Sequence, residues 1–162
     1  MFSLFLVLHI ASGALCLIVG LVAGLAKKKK GLHTIVGEVY HGSYVVVFVT
    51  ALIMSIWHWS ESAYLFYIAL FSYGLALTGY IAGKLKKKNW LVVHISGMLG
   101  SYIGILTATL VVNAHRIPVI NEIPDILIWI LPTIIGSPLI AMVNAKYVKK
   151  RKKQASIPIK NT

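Results

Sequence analysis

Three runs of basic residues cut this 162-residue chain into long, nearly uncharged apolar stretches. The runs are Lys27, Lys28, Lys29 and Lys30; then Lys84 with Lys86, Lys87 and Lys88; then Lys146 with Lys149, Lys150, Arg151, Lys152 and Lys153. A bilayer core about 30 Å thick needs about 20 apolar residues of helix. Five stretches reach that length: 2–26, 35–58, 63–83, 90–114 and 126–145. Strands of a membrane barrel are about ten residues long and alternate in polarity, whereas these stretches are longer and apolar throughout. The pattern predicts an all-α integral membrane protein. Its five-helix transmembrane bundle occupies residues 1–148, and a basic tail follows over 149–162.

Composition agrees. The chain is 58% apolar and 12% charged, against about 45–50% and about 25% in soluble domains. This excludes a soluble enzyme, a disordered chain and a disulfide-rich secreted module. The single cysteine, Cys16, allows no internal disulfide and no cysteine-based zinc site. A net charge of +12 invites a nucleic-acid reading, but nucleic acid needs a continuous basic face. Basic runs that alternate with apolar spans mark cytoplasmic loops instead.

With the N-terminus outside, all three runs fall on one side of the membrane. Of the 16 Lys and Arg, only Arg116 lies on the other side, with Glu61, Glu122 and Asp125. The Lys/Arg excess makes the basic side cytoplasmic, so the expected topology is N-out and C-in in the plasma membrane. Four or six spans would put a basic run on the wrong side. The first span has no basic segment before it and ends at Lys27, as a retained anchor does rather than a cleaved signal. Lys149 to Lys153 should attract anionic lipid headgroups, and residues 157–162 should fray. Arg116 is expected to pair with Glu122 or Asp125.

Small residues foreshadow close helix packing. Gly20 and Gly24, Gly79 and Gly83, and Gly100 with Gly104 and Ala108 recur at four-residue spacing. They serve contacts within the chain or between copies in a homo-oligomer. Pro132 and Pro138 predict a kink in the last span. Trp57, Trp59 and Trp90 sit near span ends, as interfacial anchors do.

Ionisable groups inside a span are costly and mark function by default. Here they are Glu38, His41, His94 and His9, with His33, His58 and His115 at span ends. A rise of about 1.5 Å per residue puts Glu38, His41 and His94 in one inner layer, with His33 capping it from the loop. His9, His58 and His115 belong to the outer half and form an alternative site. Glu38 and His41 are one turn apart, and His94, Met98 and Ser101 share a face with Tyr102 beside them. A neutral imidazole is a common metal ligand that a carboxylate can join or orient, and Met98 is a candidate soft axial ligand. The plainer reading is a histidine that hydrogen-bonds a neighbouring helix.

Several of these residues also carry a resemblance. They are Leu8-His9-Ile10-Ala11-Ser12-Gly13 with Gly20; Lys30-Gly31-Leu32-His33 with Gly37 and Tyr40; and His94, Met98, Ser101-Tyr102, Gly104 and Ala108, followed by Arg116 and Pro118. The chain resembles a family of small bacterial predicted membrane proteins catalogued only as a domain of unknown function. The resemblance spans over half the chain. It implies a helical membrane fold and favours His9, His33 and His94 over His41, His58 and His115. The family often has Arg after the first-loop histidine, where this chain has Thr34, and Glu near the outer end of the fourth span, where it has Asn113.

Three functions compete. The first is a redox protein binding haem b or another metal. Depth pairs His41 with His94 and His58 with His115, as in a two-haem carrier. The two separations differ by about one turn, so a single inner site fits better. The second is a zinc-dependent membrane hydrolase with His33, His41 and His94 as ligands and Glu38 as general base, although no HExxH is present. The third is a small proton-coupled transporter or regulatory subunit in which Glu38 and His41 relay protons. No inverted repeat supports a transport pathway, and the redox partner is not specified by the sequence. The topology has a direct test. A tag before Met1 should be reached from outside intact cells and one after Thr162 should not; an accessible C-terminal tag would overturn the N-out, C-in arrangement.

Overall fold

The computed structural model describes residues 1–27 and 31–155. Lys28, Lys29, Lys30 and the expected frayed tail at 157–162 lie outside the described residues. The helices are α1 (Phe2–Leu25), α2 (Leu32–Trp57), α3 (Trp59–Leu85), α4 (Trp90–Asn113), a short α5 (Pro118–Asn121) and α6 (Asp125–Ala155), with a 3-10 turn at Ala114–Arg116 between α4 and α5. Five of them are long and apolar enough to cross a membrane. Even the 24-residue α1 spans about 36 Å at 1.5 Å per residue. Helix α6 continues through Lys146 and Arg151 to Ala155, and its helical assignment is unbroken at Pro132 and Pro138.

Breaks between helices follow local chemistry. Helix α1 ends where Ala26 turns extended, just before the first lysine run. Gly31 starts α2 at φ +117, a conformation that a side chain rarely tolerates. One residue, His58, both ends α2 and begins α3. The α3–α4 turn uses Lys86 and Asn89 in the left-handed region, which Asn enters more readily than most residues. Pro118 occupies the first turn of α5, where its missing N–H costs nothing.

Consecutive helices pack side by side, α1 on α2, α2 on α3 and α3 on α4, with lighter contact between α1 and α4. Helices α1 to α4 thus form an up-down-up-down bundle, and α6 packs on the outside of α4. Asn144 Nδ2 donates to Ser96 Oγ at 2.8 Å and ties α6 to α4. The α1–α2 and α3–α4 turns share one end of the bundle. Arg151 of α6 reaches Trp90 at the start of α4 there, so the described parts of the three basic runs gather at what we call the basic end.

The burial pattern is inverted relative to a protein in water. Ile18 and Phe71 are 64% and 71% exposed, whereas Ser101, Ser55 and Thr50 are buried. Apolar exposure of this extent suits a bundle whose surface faces hydrocarbon. Most of the hydroxyls bond the carbonyl one turn back: Ser43 donates to Val39 O at 2.8 Å, Thr107 to Ile103 O at 2.8 Å, and Ser72 to Ile68 O. This satisfies them without reaching another helix.

Glycines set the helix spacing. A Cβ on Gly97 would lie 2.6 Å from Gly79 Cα, and one on Gly79 would lie 2.7 Å from Met98 N. The α3 and α4 backbones therefore touch. Gly20 makes room for the Tyr102 and Tyr40 rings, Gly83 for the His94 ring, and Gly104 for Ser72. These small residues work within the chain. Gly97→Ala should lower stability by about 1–3 kcal/mol, because backbone has to move, whereas Gly42→Ala meets nothing within 4 Å and should not. Unfolding of both variants in detergent, monitored by circular dichroism, checks the difference.

Candidate functional site

Two layers of polar contacts cross the bundle interior between α2 and α4. The first lies at the basic end. His33 is in the first turn of α2 rather than in the loop. Its Nδ1 is 3.0 Å from Ala23 O on α1. His94, in the second turn of α4, has Nδ1 2.9 Å from Gly79 O on α3. A carbonyl oxygen only accepts, so Nδ1 carries the proton in both rings, and in the neutral ring Nε2 is a lone pair. The two imidazoles stand 6.3 Å apart between centres, with planes 88° to one another. Helices α1, α2, α4 and α3 thus meet through Ala23, His33, His94 and Gly79.

The second layer is seven residues further along both helices, about 10 Å deeper. Tyr40 Oη lies 2.9 Å from Ser101 Oγ. The Ser101 hydroxyl already donates to Met98 O at 2.8 Å, so Tyr40 is the donor between them. Tyr44 Oη donates to Ser101 O at 3.1 Å, and Tyr102 Oη donates to Leu17 O on α1 at 3.1 Å. Tyr40 and Tyr44 pack edge to face at 5.5 Å. Cys16, Ala76 and Ile105 complete this buried cluster, with Met98 packed against it. Tyr40, Cys16 and Ser101 are its most enclosed side chains.

The four-residue ligand set expected at the inner layer is divided. His41 does not join His33 and His94. Eight residues of helix turn it about 80° away from His33, and its ring stacks on Tyr80 of α3 at 3.9 Å with planes 3° apart. Glu38 faces the same way. It accepts from Tyr80 Oη at 2.7 Å and pairs with Lys84 at 2.5 Å. The nearest imidazole ring to His94 is therefore His33, not His41. His41 Nδ1 is buried and makes no hydrogen bond among the described residues.

The outer histidines do not converge either. His9 Nδ1 lies 2.9 Å from Thr50 Oγ1, whose proton is used on Val46 O at 2.7 Å, so His9 donates. His58 caps α2 and packs against Phe2, ring centres 4.7 Å apart. His115 is exposed in the 3-10 turn. Among the described residues no three His, Cys, Asp or Glu side chains are placed to hold one metal ion. Arg116 pairs with neither Glu122 nor Asp125: the ion pair found among the described residues is Lys84 with Glu38.

Sequence reasoning named Tyr40 and Tyr102 but missed the buried hydrogen-bonded layer they form with Tyr44 and Ser101. Tyr40 and Tyr44 were legible as neighbours of His33 by the spacing 33, 37, 40, 44, 47, which keeps to one helix face. Comparison with known protein families, with curated proteins and with solved structures found no match to this chain.

The Tyr40–Ser101 contact yields a prediction. Interhelical hydrogen bonds inside membrane bundles contribute about 0.6 kcal/mol on average and up to about 1.7 kcal/mol. A double-mutant cycle of Tyr40→Phe and Ser101→Ala, read by unfolding in detergent, should give a coupling in that range. A value near zero would show that the two hydroxyls act independently.

Proposed function

We propose that this chain is a membrane-embedded haem b protein, or the carrier of another metal centre bound by two opposed imidazoles, and that it works in electron transfer. The site is the His33–His94 pair in the cytoplasmic half of a plasma-membrane bundle with its N-terminus outside. One observation carries this reading: both rings are held through Nδ1 by backbone carbonyls, and their centres are 6.3 Å apart. Metal-bound histidines are held through the other ring nitrogen in this way.

The separation selects among metals. With metal–nitrogen bonds of about 2.0–2.1 Å and a ring centre about 1.1 Å behind each nitrogen, two opposed imidazoles have centres roughly 6–6.5 Å apart. A tetrahedral angle brings the centres nearer 5 Å for the same bond length. The 6.3 Å separation would let His33 and His94 together hold one metal centre. Catalytic zinc needs three protein ligands, and neither Glu38 nor His41 faces this pair, so the hydrolase reading has no ligand set.

Gly37 is one turn beyond His33, and a Cβ there would meet nothing within 4 Å. His33 and His94 would hold the group, and the carbonyls of Ala23 and Gly79 would keep their rings from rotating. Haem supplies one-electron redox chemistry when bound. The resemblance to the uncharacterised membrane family favours His9, His33 and His94 among the histidines, and the proposed pair is two of these three.

Purification from haem-supplied cells tests the proposal. The full chain should carry a Soret band and about one iron per chain by elemental analysis, as a single bis-histidine site requires. His33→Ala and His94→Ala should each lose the band while keeping a monodisperse elution profile; His41→Ala, His58→Ala and His115→Ala should retain it. A colourless, iron-free wild-type protein, or full occupancy in His94→Ala, would overturn the proposal and leave the pair as interhelical tethers.

A further inference from the structure

The α3–α4 turn places Lys86, Lys87 and Lys88 just before Trp90, the first residue of α4. Lys86 Nζ is 5.9 Å from the centre of the Trp90 ring. The Arg151 guanidinium, from α6, is 5.8 Å from the same ring. Two basic runs far apart in sequence are thereby brought to one indole, at distances where a cation is drawn to its π face. The ion pair found among the described residues is Lys84 with Glu38, so no carboxylate there neutralises Lys86, Lys87, Lys88 or Arg151. The start of α4 adds to the positive field: it has no side-chain cap and no acid in its first turn.

Beside these cations a crevice of about 290 Å³ lies between α3 and α4. Its walls are Ile81, Ala82, Leu85 and Val93 with Thr78, whose hydroxyl is spent on Leu75 O, and Lys87, Lys88 and Trp90 line it where the helices end. The crevice therefore has a cationic mouth and an apolar floor along the hydrocarbon-facing surface. Its volume is at the lower limit of small-molecule pockets, roughly 300 Å³, so it takes part of one acyl chain rather than a whole lipid.

We infer that this crevice is a binding site for a single anionic phospholipid. The phosphodiester sits between Lys87 and Lys88 beside the Trp90 indole, and one acyl chain runs along Ile81, Ala82, Leu85 and Val93. A free phosphate would use only the cationic mouth. The apolar wall continuous with it selects a lipid. Basic pockets between membrane helices recognise acidic headgroups by this combination. The site differs from the diffuse attraction expected of Lys149 to Lys153, because it has a defined floor and an aromatic platform. It is also independent of the His33–His94 reading.

Trp90 supplies the reporter, since Trp57, Trp59 and Trp129 lie toward the opposite ends of their helices. The full chain in detergent micelles is titrated with phosphatidylglycerol or phosphatidylcholine brominated in the acyl chains, and tryptophan quenching is followed. Phosphatidylglycerol should quench saturably at a lower mole fraction than phosphatidylcholine, and Trp90→Phe should remove that component. At roughly 1 kcal/mol per lysine near the surface, Lys87→Gln should shift the midpoint about fivefold and the double variant with Lys88→Gln about 30-fold. Both side chains are exposed, so the single variant serves if the double one is unstable. Ala82→Leu, which fills the floor and leaves every lysine in place, should weaken phosphatidylglycerol binding as well. Equal midpoints for the two lipids, or an unchanged midpoint in the lysine variants, would overturn the site. Displacement of the lipid by an equal concentration of glycerol phosphate would overturn the lipid assignment in favour of a phosphate site.

Discussion

A polar side chain that faces hydrocarbon finds no water, so most of the hydroxyls and imidazoles buried among these helices take partners inside the bundle. The arrangement of helices α1 to α4 follows from that constraint. Threonines and serines on a single helix satisfy themselves on the preceding turn, as Thr107 does on Ile103. Tyrosines and histidines are too long for that and reach across. Tyr40 and Tyr44 of α2 meet Ser101 of α4, Tyr102 of α4 meets Leu17 of α1, and His94 of α4 meets Gly79 of α3. The diagonal helices α2 and α4 are linked through side chains, and adjacent helices combine such links with close backbone approach, as α3 and α4 do at Gly79 and Gly97.

Glycine and tyrosine act together in this scheme. The Tyr40 and Tyr102 rings occupy the space that a side chain at residue 20 would need, so Gly20 is what lets α1 close over them. Gly83 stands in the same relation to the His94 ring, whose Nδ1 would lie 2.7 Å from an added Cβ. Where lipid offers no hydrophobic drive, dispersion contacts of this closeness and the hydrogen bonds they enclose hold helices together. The same contacts fix the orientation of His94, because a ring packed against a glycine backbone and bonded to a carbonyl has little freedom to rotate.

The basic end joins two kinds of chemistry at different depths. Lysines, Trp90 and Arg151 lie where the long helices end, the position at which interfacial charge and aromatic rings are favoured in membrane bundles. His33 and His94 lie just inside, where an unpaired polar group is expensive. The Glu38–Lys84 pair shows the boundary between the two. It is roughly half exposed, 44% and 53%, and Lys84 extends from the last turn of α3 to meet a carboxylate held by Tyr80.

The sequence alone determined the number of long apolar helices, the separation of the basic runs from them, and the residues expensive enough in lipid to need an explanation. These follow from one-dimensional quantities: the length of an apolar run against the thickness of a bilayer, and the position of charge along it. Span ends were legible to within a few residues except at the C-terminal end of α6, which runs to Ala155 rather than to residue 145, and Gly20, Gly79 and Gly83 were recognisable as packing positions. The grouping of the histidines was decided only by tertiary structure. Depth along a helix places His41 beside His94 as readily as it places His33, because depth says nothing about direction around the axis. The rotation of α2 in the bundle turns His41 onto Tyr80 and His33 onto Ala23 and His94. That rotation is set by what α2 packs against, chiefly Tyr40 and Tyr44 filling the centre, and no spacing within one helix contains it.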